Sequence, residues 1–258
     1  MTHHTHCALR FGDNMAALQL VRKLAQAHPE HQFVHAANLA YMRQVHQLPE
    51  VVEDLPNVSI VDLSQKHPDS VDLWKGADDY WYYHKNRNDY VTFMLEFYEK
   101  CSARLGLSCP ITTMMDLIFD YPAIQRNNFF SRPFDWLVIN SVPMSSQFQG
   151  YSLTDFDAVI KALCGRYSVV TTADSPHHGQ ICASTLSSTQ IGNLSLYCKY
   201  ILMVSTGVSW PTFNIWSYKT VQLRIVLLDS ERINLGNTTI HKKSVRAAHE
   251  FLVEQNFL

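Results

Sequence analysis

The sequence predicts an α/β protein built in two halves, and three observations predict it. Short apolar runs alternate with segments of helical spacing along most of the chain, the pattern that gives parallel sheets with helices on both faces. The regularity lapses once, near Pro122 to Pro133, where the polar Gln125-Arg126-Asn127-Asn128 is flanked by prolines; this places a boundary at residue 130, between halves 1–130 and 131–258. The third observation is Lys199-Tyr200-Ile201-Leu202-Met203-Val204-Ser205-Thr206-Gly207-Val208-Ser209-Trp210-Pro211, which reads as a buried strand, a tight turn and a helix N-terminus. The first N–H groups of a helix have no intrahelical partners, so such a junction takes an anion. Glycine lets the chain turn there and leaves room for a ligand close to the backbone.

Taken in order, Cys7 to Phe11 reads as the first strand, broken by Gly12-Asp13-Asn14. Met15, Leu18, Val21 and Ala25 then recur at helical spacing up to Pro29. Gln32 to Ala36 is a second strand, Leu39 to Gln47 a short helix and Val58 to Leu63 a third strand after the Pro56-Asn57 turn. From Val71 to Leu107 the composition changes. Trp74, Tyr80, Trp81, Tyr82, Tyr83 and Tyr90 cluster around Lys75, His84, Lys85 and Arg87, before a helical pattern resumes over Val91 to Leu105. Such a cluster stacks on sugars or bases while its cations hold phosphate, or it fills space between sheet and surface.

Asp135 to Asn140 opens the second β-turn-α series, followed by a loop over Ser141 to Tyr151 and a helix over Leu153 to Cys164. Tyr167 to Thr172 is the next strand, with Asp174-Ser175-Pro176-His177-His178-Gly179 as its loop. Thr189 to Tyr197 is a helix leading into the Ser-Thr-Gly strand, Gln222 to Leu228 a further strand, and Val245, Ala248 and Leu252 mark a closing helix, which either stays with the second half or packs back on the first. Two Rossmann-like halves facing one another are expected.

Composition bounds the function. The 258 residues are 47% hydrophobic and 12% aromatic with a net charge of −2, enough for two modest cores and not an overall polycation. No run of 18 apolar residues exists to span a membrane, and the start lacks the apolar core of a secretion signal. The six cysteines are scattered, with no C-x-x-C pair, as expected of reduced thiols in a cytoplasmic protein. His3, His4 and His6 resemble a metal tract and read as a flexible or incidental N-terminus. No C-x-x-C pair marks a metal site, so no metal and no cofactor is expected.

Three places carry a resemblance: Arg10-Phe11-Gly12-Asp13 before a helix ending near Ala27-His28-Pro29, Val138-Ile139-Asn140-Ser141, and Gly192-Asn193-Leu194 through Ser205-Thr206-Gly207. They resemble the ADP-heptose:lipopolysaccharide heptosyltransferases, which are compact GT-B glycosyltransferases. The resemblance implies two facing Rossmann-like domains with a cleft between them, acceptor on the first and nucleotide-sugar donor on the second. It implies Asp13 as general base, and Thr206, Gly207 and the N–H of Val208, with Ser205 and Asp174 nearby, as the donor-diphosphate cradle beside Ser145 and Ser146. Departures from the family pattern are Ser205 where it has Asp, Val208-Ser209-Trp210 where it has Pro-Met-His, and a missing Lys after Asn140. The cation that offsets the leaving diphosphate is therefore sought among Arg10, His177, His178, Lys199 and Arg224.

Local roles compete with these. Asp13 reads equally as the N-cap of a helix starting at Asn14, Ser145 and Ser146 as turn residues, and His177-His178 as a solvated pair. The expected activity is inverting sugar transfer from a nucleotide-diphosphate donor to a hydroxyl. The acceptor is a surface glycan or, given Trp74, Tyr82, Lys85 and Arg87, a hydroxymethylated DNA base. The alternatives are a nucleotide-sugar-binding scaffold without chemistry and a sugar-nucleotide epimerase.

Overall fold

The computed structural model of the chain describes residues 1–39, 48–74, 90–126, 133–143, 148–175, 180–182, 185–228 and 239–258. The chain divides into two compact units, Met1–Gln125 and Arg126–Leu258. The expected helix over 39–47 falls almost wholly outside the described residues.

The first unit is built on β1 (Thr2–Cys7), α1 (Phe11–Ala27), β2 (Gln32–Ala37), β3 (Val58–Asp62), β4 (Val71–Asp72) and α2 (Tyr90–Arg104). Its strands form a parallel sheet in the order β3-β2-β1-β4. The first strand is not Cys7 to Phe11: it is the histidine-rich segment before it, and Phe11 opens the helix. The physical reason is that this strand is polar but satisfied. Sheet neighbours hold both of its edges, and its buried polar side chains are paired, His3 with His31 at 3.0 Å, Thr5 with His35 at 2.9 Å and His6 with Ser70 at 3.0 Å. Buried polar groups are tolerated when hydrogen-bonded, and a search for apolar runs passes over such a strand.

Helix α1 is buried nearly all round, from Phe11 through Met15, Leu18 and Val21 to Ala25. Even its polar residues are tied inward. Gln19 donates to the Asp116 carbonyl at 2.8 Å, Arg22 to the Val51 carbonyl at 2.6 Å and to Asp54 at 2.5 Å, and Lys23 pairs with Asp120 at 2.6 Å. The helix stops at His28 because the residue before a proline is driven out of the α region.

The second unit contains β5 (Phe134–Ile139), α3 (Leu153–Cys164), β6 (Val169–Thr171), β7 (Gln180–Cys182), α4 (Ser188–Leu194), β8 (Cys198–Val204), β9 (Leu223–Leu227), β10 (Thr239–Lys242) and α5 (Val245–Glu254). The six strands are parallel in the order β10-β9-β8-β5-β6-β7. On one face Trp136, Val138, Leu202, Val204, Ile225 and Leu227 pack under Phe156, Val159, Ile160 and Leu163 of α3 and Val245, Ala248 and Leu252 of α5. The closing helix thus belongs to the core of the second unit. Successive strand residues alternate sides, and on the other face Met203 and Arg224 meet the 207–217 segment, with Thr212 donating to the Met203 sulfur at 3.7 Å and Arg224 over the Phe213 ring. The short strands β4, β7 and β10 went unforeseen; none reaches five residues.

Both sheets reverse direction of growth. In the first, the chain runs from β1 to β2 and β3 on one side and then to β4 on the other. In the second it runs from β5 to β6 and β7, then returns to β8 beside β5 and continues to β9 and β10. Where the order reverses, the connections leave for opposite sides and open a crevice at the carboxyl ends of the strands, the usual ligand position in open parallel sheets.

Gly192 of α4 sits against Pro211: a Cβ built on it would lie 2.8 Å from the proline Cβ and 2.9 Å from its carbonyl oxygen. Asn214 ties this contact together, its amide lying 2.8 Å from the Pro211 carbonyl and 3.3 Å from that of Gly192. Gly192→Ala is therefore expected to destabilise the protein by about 1–3 kcal/mol, the scale of overpacking a filled site. Urea denaturation checks this; an unchanged midpoint would contradict the contact.

Candidate functional site

At the switch point of the second sheet, the carboxyl ends of β5, β6 and β8 are braced by their own polar residues. Asn140, fully buried, accepts from the Ala173 N–H at 2.8 Å and donates to the Ala173 carbonyl at 3.3 Å. Ser141 and Thr172 share a hydroxyl hydrogen bond of 2.8 Å, and the Tyr151 hydroxyl donates to the Asn140 carbonyl at 2.9 Å. Beside them Ser205, just past β8, donates its N–H to the Leu227 carbonyl at 3.1 Å. The parallel register pairs Ile139 with Met203, so Asn140 and the Ser205-Thr206-Gly207 turn emerge on the same edge. Asp174 is exposed in the β6 loop, its carboxylate accepting from the Ser175 N–H at 3.1 Å. Ser145, Ser146, His177 and His178 lie outside the described residues.

The turn differs from the expectation in one respect. It opens a 3-10 helix, Gly207–Thr212, rather than an α-helix. Pro211 is the cause, since it lacks an N–H and disfavours α geometry at the residue before it. The small macrodipole of so short a helix leaves the backbone N–H groups of Gly207 and Val208 as what the turn offers an anion. The Thr206 hydroxyl is turned inward, buried with no hydrogen-bond partner among the described residues, while its N–H is held 3.2 Å from the Ser209 hydroxyl.

Two of the candidate cations are on the wrong edge. Lys199 lies at the amino end of β8, where its ammonium pairs with Asp135 at 2.8 Å. That hydrogen bond lowers the Asp135 pKa and raises that of Lys199. Arg224 lies at the amino end of β9, 1% exposed, bonded to the Ser217 hydroxyl at 2.9 Å. Burial lowers its pKa to about 10. Parallel strands send their amino ends away from the switch point, so neither cation meets the Ser205–Val208 turn.

In the first unit the switch point lies between β1 and β4 and gathers Arg10, Asp13 and Trp74. Helix α1 begins at Phe11, with Arg10 as N-cap residue. Asp13 is thus the third helical residue and not the cap, and its carboxylate reaches back to accept the Arg10 N–H at 3.1 Å. Trp74, just past β4, donates its indole N–H to the Asp13 carbonyl at 2.9 Å and stacks on Phe97 at 4.5 Å. Of Trp74, Tyr82, Lys85 and Arg87, Trp74 is the one among the described residues. It braces the backbone under Asp13; Tyr82, Lys85 and Arg87 are outside the described residues.

Behind this turn runs a buried relay that the sequence did not reveal. The Asn14 amide donates to the carbonyls of Leu9 and Arg10, each at 3.0 Å. Its carbonyl oxygen therefore accepts from His35 Nε2 at 3.4 Å, and His35 Nδ1 accepts the Thr5 hydroxyl at 2.9 Å. The relay anchors the 9–13 turn to the centre of the sheet. Only the pairing of Thr5 with His35 across β1 and β2 places these residues together, and register is not visible in a strand read alone.

No family model and no curated protein sequence matches the chain. Solved structures do. The E. coli heptosyltransferase WaaC with ADP-2-deoxy-2-fluoro heptose superposes with a TM-score of 0.61 over 99% of this chain and 100% of that one, at 14% identity. A glycosyl transferase of family 9 from Veillonella parvula DSM 2008 gives 0.52 over 98% and 90%, at 10% identity. The chain has the heptosyltransferase fold. These neighbours are glycosyltransferases of GT-B type, and both likenesses run the length of the chain. Ser205, just past β8, is 3% exposed and held by the sheet. Among the described residues no helix is long and apolar enough to cross a membrane.

The relay makes stability depend on pH. Burial lowers the His35 pKa from 6.5 to about 3, so the unfolded chain takes up a proton first. The stability that neutral His35 contributes is present above about pH 6.5 and is lost as pH falls toward 3, by up to about 1.4 kcal/mol per unit. In urea titrations at pH 7, 6 and 5, His35→Gln is expected to flatten the decline seen in the parent protein. Equal slopes would contradict a buried neutral imidazole.

Proposed function

We propose that the protein is an inverting glycosyltransferase that moves a sugar from a nucleotide-diphosphate donor to a hydroxyl. The observation that carries this is the coincidence of each sheet's switch point with the residues the chemistry needs: Asp13 on the first sheet and the Ser205–Val208 turn beside Asn140 on the second. The likeness to WaaC, a structure that contains an ADP-sugar analogue, supports a donor of that chemical kind.

In the proposed reaction the acceptor hydroxyl attacks the anomeric carbon, and its proton passes to the Asp13 carboxylate. The bond between that carbon and the diphosphate oxygen breaks, and its electron pair leaves with the diphosphate. The developing charge meets the N–H groups of Gly207 and Val208, a contact that strengthens as the bond breaks. Inversion follows from this single displacement. No step is routed through a metal or a cofactor. Of the candidate cations, Arg10 lies exposed beside Asp13 on the first unit. We assign the acceptor to the first unit and the donor to the second, and place the reaction in the cytoplasm, where nucleotide sugars are made. A glycan acceptor follows the resemblance. A DNA acceptor would rest on Tyr82, Lys85 and Arg87.

A second reading is favoured by the positions of Lys199 and Arg224: a protein that binds nucleotide sugars without transferring them. Release of nucleoside diphosphate that requires an acceptor supports transfer, and binding without release supports the second reading.

Asp13→Asn separates catalysis from architecture, because asparagine also accepts the Arg10 N–H. A general base contributes about 10²- to 10⁴-fold to rate. The variant is expected to melt like the parent protein, bind donor normally and lose at least about 100-fold in turnover. Near-normal transfer would reduce Asp13 to a helix-terminus residue.

A further inference from the structure

The amino edge of the first sheet, opposite Asp13, holds a histidine cluster that the proposed reaction does not use. Helix α1 ends in His28-Pro29-Glu30-His31, a turn closed by the His31 N–H donated to the His28 carbonyl at 3.0 Å. Asn57, buried at 7% exposure, donates from one amide nitrogen toward the carbonyls of Ala25 and His31 at 3.0 Å each and of His28 at 3.5 Å. The turn is therefore fixed before any ligand arrives.

Three side chains converge on it. Glu30 Oε1 lies 3.5 Å from His31 Nε2 and 3.8 Å from His28 Nδ1, and the ligating atoms of all three residues lie within 4.8 Å of one another. Ligand atoms about 2.0–2.2 Å from a tetrahedral zinc stand about 3.4 Å apart, so small side-chain rotations suffice. His31 is already oriented from behind: its Nδ1 lies 3.0 Å from His3 Nε2. A neutral histidine that ligates through Nε2 must carry its proton on Nδ1, and metal-bound imidazoles hand that proton to a fixed acceptor. His3, stacked on Phe33 at 5.1 Å, is such an acceptor.

From this geometry we infer that His28, Glu30 and His31 form a binding site for a borderline divalent transition metal such as Zn²⁺, with His3 as the residue that positions His31. Two imidazoles and a carboxylate suit zinc and its neighbours rather than magnesium or calcium. The side chains are 27%, 64% and 20% exposed for His28, Glu30 and His31, which leaves water to complete the coordination. Strand β1 separates this edge from the Asp13 edge by about 13 Å between His3 and Cys7, so the ion would clamp the α1–β2 turn to β1 and take no part in transfer.

The test is calorimetric titration of Zn²⁺ into the full chain after chelator treatment. About one ion per chain is expected to bind, with a Kd of about 10 µM or tighter, and to raise the melting temperature. Glu30→Gln, at a largely exposed side chain, is expected to weaken binding at least about tenfold without unfolding the protein, and His3→Ala to weaken it about 10-fold or more. His31→Ala should remove saturable binding, and His67→Ala, outside the cluster, should leave it unchanged. Absence of saturable binding in the parent protein, unchanged affinity in Glu30→Gln or His31→Ala, or an equal loss in His67→Ala would overturn the site.

Discussion

Parallel pairing of β5 with β8 is the constraint on which the donor side of the molecule depends. The two strands are far apart in sequence, yet their register sets Phe134 against Cys198 and Ile139 against Met203, and only then do Asn140 and Ser205 leave the sheet together. Everything around the turn serves that pairing. Apolar side chains alternate to α3 and α5 on one face, and on the other Asn214 binds the carbonyls of Gly192 and Pro211. The Ser-Thr-Gly turn is thus held by the strand before it and by the proline segment after it, and needs no charged side chain of its own to keep its shape.

The first unit solves the same problem with polar material. Its central strand carries histidines and threonines where an apolar run would be usual, and each buried polar group meets a partner from a neighbouring element. Such a core is stable only when fully paired, because a half-satisfied network is worse than an apolar one. The benefit is directional. Hydrogen bonds from Thr5 through His35 to Asn14 fix the turn that carries Asp13, and Trp74 fixes it from the other side.

Much of this was legible in the sequence where periodicity is strong. The span Leu153–Cys164 matches the observed helix residue for residue, and β2, β5 and β9 fall within a residue or two of the expected ranges, because apolar runs bounded by turns leave few alternatives. The polar strand β1 reads as a tail in the sequence, since burial offset by hydrogen bonds leaves no hydrophobic trace. Asp13 lies at the expected turn, but the helix starts at Phe11, three residues before the expected Asn14, a boundary that the capping residues alone do not fix. Lys199 and Arg224 are among the cations the sequence offers for the diphosphate. Strand direction decides otherwise, and it sends them to the opposite edge.

The central claim is that the Ser205–Val208 turn binds the diphosphate of a nucleotide sugar. A thermal-shift titration with a panel of nucleoside diphosphates and their sugars tests it most directly, on the parent protein and on Gly207→Val, whose branched side chain would enter the phosphate space. At least one ligand is expected to raise the melting temperature saturably, as ligands bound only by the native state do, and folded Gly207→Val to lose at least about tenfold in apparent affinity. No shift with any of them at millimolar concentration, or unchanged affinity in Gly207→Val, would contradict the account.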